Sequence, residues 1–233
     1  MDYKRDDQSL NGIVIRKIQS EKEIVEAMQM RLDVLKVLPA YKNVNLEDYY
    51  EVEIEGALNI YRNGIAYAAF NEQQQLISFA LTFDLTFEPI SNLQKQFFDD
   101  GIVSFIRNDA RKILNPKPGQ YSYIGYGATR KDYRNLHLTS RIGLMLLKEN
   151  YSQGFKYIVA IASSKQGYEI GRSFGGKIIN QYNFNGDAAK IQILEKQQTF
   201  YNQNEKMKEK VITKFLLMSE FKKIEPLINF GKL

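Results

Sequence analysis

Residues 123–176 read YIGYGATRKDYRNLHLTSRIGLMLLKENYSQGFKYIVAIASSKQGYEIGRSFGG, and the order of patterns in this stretch decides the fold. Gln120–Thr129 is rich in Tyr and suits a strand. A polar turn follows, and Leu138–Tyr151 then carries a strongly helical pattern, with Gly154 placed as its C-terminal glycine. Tyr157–Ala162 is a short unbroken apolar run, as a buried strand requires. Lys165–Ser173 suits a short helix ended by Gly175-Gly176, and Lys177–Phe184 a further strand. Strands alternating with helices place the chain in the α/β class.

The turn within this stretch points to an anion. A strand that feeds a helix through a polar turn leaves unpaired N–H groups at the helix N-terminus, where the helix dipole is positive. Arg130, Lys131 and Arg134 add charge beside it, and Thr139 and Ser140 add hydroxyl donors. A diphosphate suits such a site.

Upstream, Gly12–Gln19 alternates as a strand, and Ser20 with Glu23 makes a capping box for a helix to about Lys36, stopped by Pro39. Asn45 caps a second helix over Leu46–Leu58, and Asn63-Gly64 reads as a turn. Ile65–Phe70 and Leu76–Phe87 form an antiparallel hairpin. Ser91 begins a helical stretch to about Leu114, interrupted at Gly101, in which Phe97-Phe98 are expected to pack into the core, with a membrane or partner contact as the alternative. Downstream, Glu195–Lys210 is polar and helix-compatible, and Val211–Phe221 is read as a last strand, with a continued helix as the alternative. The expected organisation is a disordered tail over 1–11 and one domain over 12–233, with a helical insertion at about 91–115.

Composition narrows the chemistry. The 233 residues contain no Cys, no Trp and one His. Disulfides, thiolate nucleophiles and thiolate metal sites are excluded, and a multi-histidine metal site cannot be built, so no metal is expected. Backbone amides, hydroxyls, carboxylates or a borrowed cofactor must do the work. A net charge of +5 favours anionic ligands. Dispersed Lys without clustered Arg and interleaved aromatics argues against nucleic acid. No apolar run approaches the ~20 residues of a membrane span, and the mixed charge of MDYKRDDQSLNG is unlike a secretory signal. A cytoplasmic location is the expectation.

At Tyr133-Arg134 the sequence resembles the GNAT superfamily of acyl-CoA-dependent N-acyltransferases. That family's central motif has a Tyr-Arg pair, a glycine-rich turn and an apolar helix. Here Tyr133-Arg134 take the pair, Asn135-Leu136-His137-Leu138-Thr139 the turn, and Ile142–Leu147 the helix. Gly154, YIVAIA and Phe174-Gly175-Gly176 match the family's following strand and helix ending. The two motif glycines are His137 and Thr139 in this chain. The resemblance implies a GNAT-like mixed, mostly antiparallel sheet of six to seven strands with helices on both faces.

It also implies acetyl-CoA as cosubstrate and transfer of acetyl, or another short acyl group, to a small-molecule or peptide amine. The diphosphate would lie on Arg134, Asn135, Leu136, His137, Leu138, Thr139 and Ser140. The pantetheine arm would lie along Gly127, Ala128 and Thr129, with Ser164 as a further partner. Tyr123 and Tyr126 are the polar side chains available on that strand, and Tyr168 is the candidate acid for the leaving thiolate. The position at which the family often carries that Tyr is Gly171 here. The other class of function is a GNAT-like domain without catalysis, serving as an interaction or structural subunit. A homodimer or larger assembly is left open.

Overall fold

The computed structural model describes residues 12–37, 46–89, 102–162, 165–184 and 187–195. The Ser91–Gly101 part of the insertion, the tail over 1–11, the Pro39–Asn45 loop, Ser164 and Val211–Phe221 lie outside the described residues.

Among the described residues, seven strands form one sheet in the order β1-β2-β3-β4-β5-β7-β6. In chain order the elements are β1 (Val14–Lys17), α1 (Glu21–Leu35), α2 (Leu46–Asn63), β2 (Ile65–Phe70), β3 (Leu76–Asp84), α3 (Ile102–Leu114), β4 (Tyr121–Thr129), α4 (Leu138–Ser152), β5 (Tyr157–Ala162), α5 (Lys165–Ser173), β6 (Lys177–Phe184) and β7 (Asp187–Glu195). Every neighbouring pair is antiparallel except β4 and β5, which run parallel because α4 carries the chain back across the sheet.

Local chemistry sets the element ends. The Ser20 hydroxyl accepts the Glu23 N–H at 3.3 Å, and the Glu23 carboxylate accepts the Gln19 N–H at 2.9 Å, which starts α1. Gly154 follows α4 with φ +97° and Gly175 follows α5 with φ +83°, a conformation that favours glycine.

The elements depart from the sequence-based expectation in places, and β3 for one ends at Asp84 rather than Phe87. Helix α2 runs on to Asn63, so Gly64 alone makes the break. Asp187–Glu195 is a strand that sequence reading had passed over, wedged between β5 and β6. Its signal was the Asn185-Gly186 dipeptide, flanked in the ladder by the Phe184–Asp187 pair.

The core lies on both faces of the sheet. On one face, Ile24, Ala27 and Met28 of α1, Ala57 and Ile60 of α2, and Ile106 and Ala110 of α3 cover Phe79, Leu81, Phe83, Tyr121, Tyr123 and Tyr126. On the other, Leu138, Ile142 and Leu146 of α4 cover Ile65, Ala69, Ile77 and Ala80, and Leu147 and Tyr151 meet Phe174 at the end of α5. Helix α3 is tied to the segment after β3. Arg111 donates to the Leu85 and Phe87 carbonyls, both at 2.7 Å, and Arg107 and Arg111 both pair with Glu88.

Candidate functional site

Strand β4 carries a bulge. Leu81 of β3 stands opposite Tyr126, and the next residue, Thr82, stands opposite Ile124, so Gly125 has no partner of its own. The extra residue shifts the side-chain parity. Tyr123 and Tyr126, three apart, therefore share the face covered by α1, α2 and α3. A Cβ on Gly125 would lie 2.4 Å from Cε1 of Phe83, so the bulge closes only around glycine.

At the same point β4 parts from β5. Their parallel ladder runs from Tyr121–Tyr157 to Ile124–Ala160 and stops, although β4 continues to Thr129 and β5 to Ala162. Gly127 is exposed in the middle of the sheet as a result. Among the described residues, no strand pairs with the β5-facing backbone groups of the last part of β4. With no side chain, Gly127 lets that partner approach the backbone closely.

The chain then enters α4 through a pinned loop. Arg130 donates its N–H to the Ile77 carbonyl at 2.9 Å, and Lys131–Tyr133 form one turn of 3₁₀ helix. The Tyr133 hydroxyl accepts from Asn71 Nδ2 at 3.1 Å. Tyr133, Leu136 and Leu138 face the core, while Arg134, Asn135, His137 and Thr139 are exposed. Asn135 has φ +72° and His137 φ +55°. Both are left-handed, and Asn and His are among the non-glycine residues found there most often. The backbone thus makes the turn that glycine would make without strain.

Helix α4 begins with its amides open. Arg141 donates to the His137 carbonyl at 3.0 Å, and the N–H groups of Leu138, Thr139 and Ser140 precede that first helical bond. The His137 side chain makes no capping bond, and the first turn holds no acidic residue. No acidic residue in that turn offsets the positive end of the dipole, and Arg130, Lys131 and Arg134 precede it in the chain, Arg130 with its guanidinium 5.7 Å from the centre of the Tyr133 ring. The helix end is joined to the end of β4 through the Thr129 and Thr139 hydroxyls, 2.9 Å apart.

On the opposite face of β4, the Arg31 guanidinium lies 5.0 Å from the centre of the Tyr126 ring. Arg31 of α1 is ion-paired with Glu53 of α2, and both are buried, at 7% and 5% exposure. Sequence reading did not single out this pair. Its signal was an arginine in the helical series Ile24, Met28, Arg31, Leu35, where the other three are apolar.

The remaining candidates lie across β5. Tyr168 is half-buried on α5, two residues before Ile170, and so points to the other side of that helix from Ile170. Gly171, the position at which the resemblance would place a Tyr, has no side chain. Ser164 lies outside the described residues. Gly127 to Ser140 thus form one continuous edge-and-turn surface, while Tyr126 sits behind it and Tyr168 stands on a separate element. Among the described residues, no group of three or more His, Asp or Glu could hold a metal, and no helix is long and apolar enough to cross a membrane.

No protein-family model and no curated protein sequence matches the chain. Solved structures do. Arylalkylamine N-acetyltransferase 2 from Aedes aegypti superposes with a TM-score of 0.59 at 16% identity, over 78% of this chain and 98% of that one. The C-terminal condensation domain of Ebony, solved with beta-alanyl-dopamine, gives 0.58 at 14% identity, over 79% and 99%. The yncA protein of Salmonella typhimurium, solved with its cofactor acetyl-CoA, gives 0.53 at 12% identity, over 81% and 96%. The fold is that of the GNAT acetyltransferases.

Proposed function

We propose that the chain is an acyl-CoA-dependent N-acyltransferase that moves acetyl, or another short acyl group, to a small-molecule or peptide amine. One observation carries this reading. The parting of β4 from β5 after Ile124 and Ala160 lies next to the open, acid-free N-terminus of α4. A bare strand edge suits a chain of amides, and an open helix end suits a diphosphate. A ligand holding both at one spacing is CoA.

The residues fit that ligand. Those backbone groups along Gly127–Thr129 that face away from β3 would pair with the pantetheine amides, and N–H groups from Leu138 to Ser140 would hold the diphosphate. Arg134 adds a charged donor that is free to reach outward from its exposed position. When bound, acetyl-CoA supplies the thioester. The backbone N–H groups near Thr129 would then face the carbonyl oxygen and stabilise its negative charge as an amine attacks. Tyr126 closes the acceptor side of β4. Tyr168 is the candidate hydroxyl on α5 for protonating the leaving sulfur.

Calorimetric titration with acetyl-CoA tests this. At 100-fold over Kd the ligand stabilises the fold by about 2.7 kcal/mol, which a thermal-shift assay also reads. No binding at millimolar acetyl-CoA refutes the proposal. Arg134→Ala should weaken CoA but leave pantetheine unchanged. The arylalkylamines of the Aedes enzyme are the first acceptors to assay. Binding of CoA without transfer to any amine would favour the second reading, a non-catalytic interaction subunit, which the missing side chain at Gly171 motivates.

A further inference from the structure

The end of β4 and the start of α4 are joined by three hydroxyls in series. Ser78 of β3 stands directly opposite Thr129 in the ladder and is fully buried. Its Oγ lies 2.8 Å from Thr129 Oγ1, which in turn lies 2.9 Å from Thr139 Oγ1 on α4. Ser78 Oγ also donates to the Ala128 carbonyl at 3.2 Å.

The series takes one direction when the Ser78 proton lies on the Ala128 carbonyl, which can only accept. Each hydroxyl has one proton, so Thr129 must donate to Ser78. The Thr129 proton is then committed, so Thr139 must donate to Thr129. In that arrangement Thr139, exposed at the helix end, gives its proton inward and offers only lone pairs to the outside. Lone pairs repel a phosphate oxygen.

We infer that Ser78, Thr129 and Thr139 are positioning residues. They hold the first turn of α4 at a fixed distance from the end of β4, and Thr139 gives no hydrogen bond to the ligand. This rests on the CoA reading above, because the two surfaces so joined are those assigned to the diphosphate and the pantetheine. Fixing their spacing matters because a two-part ligand gains from linkage only when both sites match its span. Loosening the joint lowers the affinity for the whole molecule without touching either half-site.

The test compares whole and half ligands. Affinities for CoA, pantetheine and 3′-phospho-ADP are measured by calorimetry on wild type, Thr139→Val, Thr129→Val, the double variant and Thr139→Ser. Thr139 is exposed, so Thr139→Val does not threaten the fold, and a thermal scan checks each variant. The expected result is a loss of about tenfold for CoA in each single variant, with both half-ligands changed by less than about twofold. The double variant should be no worse than either single, since one break opens the series, and Thr139→Ser should bind as wild type. If Thr139→Val weakens 3′-phospho-ADP as much as CoA, Thr139 touches the ligand and the inference is wrong. If Thr129→Val binds CoA normally, the series does not hold the joint and the inference is also wrong. Failure of wild type to bind CoA at all overturns the CoA reading, and this inference with it.

Discussion

Substituting Gly125→Ala adds one methyl at the bulge of β4, and the structure sets what that methyl meets. It would lie 2.4 Å from Cε1 of Phe83 and 3.3 Å from both Cδ1 and Cζ. Carbon atoms rest about 3.5 Å or more apart, so the ring must retreat by roughly 1 Å. It has little room. Phe83 is 2% exposed and stands edge-on to Tyr123 at 5.3 Å and to Phe87 at 6.2 Å. Overpacking of this kind costs about 1–3 kcal/mol. For a domain of this size that lowers Tm by roughly 2–12 °C. The assay is a thermal scan of wild type, Gly125→Ala, Phe83→Leu and the double variant. Phe83→Leu should itself destabilise, by about 1–2 kcal/mol. The double variant should nonetheless be more stable than the sum of the singles by about 1 kcal/mol, because the smaller side chain vacates the space. Additive losses, or a Gly125→Ala protein as stable as wild type, would refute the claim that glycine is needed to close the bulge.

Three further outcomes follow from other sites. Arg31→Met should cost about 3–5 kcal/mol because it strands the Glu53 carboxylate in the core. Adding Glu53→Leu should recover much of that in a urea-unfolding series, and a loss below about 1 kcal/mol for the single variant would show that the pair behaves as if exposed. Tyr67 donates to Glu149 at 2.7 Å, and burial, then that bond and the Glu149 charge, push its pKa from 10.0 to about 12. A pKa raised in the fold stabilises fully below pH 10 and ceases to do so as the pH climbs to about 12. The stability advantage of wild type over Tyr67→Phe should therefore shrink across that window, and Lys17, which pairs with Glu149 in both proteins, cancels in the difference. An advantage that stayed constant to pH 12 would contradict the assignment. Finally, His137 is left-handed at φ +55°, so His137→Val should lower stability by about 1–2 kcal/mol more than His137→Gly does. Equal effects of the two variants would mean that the backbone there relaxes out of that conformation.

Most of the strand and helix order was legible because each element carries its own period and its own stop. The turn from Arg134 to Ser140 was legible for the same reason, since helix ends and basic residues speak for an anion from local sequence alone. What lay hidden depends on partners distant in the chain. Tyr123 and Tyr126 share a face only because Gly125 is skipped in the pairing with Leu81 and Thr82, and that register belongs to two strands at once. Ser78 meets Thr129 across 51 residues, and Arg31 meets Glu53 across two helices. Strand β7 was missed because its neighbours, β5 and β6, supply the ladder on both sides that makes so mixed a stretch a strand.

The short parallel ladder between β4 and β5 makes the sheet two plates joined by a seam. One plate, β1 to β4, uses the chain from Val14 to Thr129, and the other, β5 to β7, uses it from Tyr157 to Glu195. Each is antiparallel and contiguous in sequence, and among the described residues the strand ladder that stitches them together runs from Tyr121–Tyr157 to Ile124–Ala160. The first plate can therefore be complete before the second has left the ribosome, with α4 as the arm that brings the second alongside. A molecule that laid its own amides into the open end of the seam would lengthen the stitching and make one continuous sheet of the two.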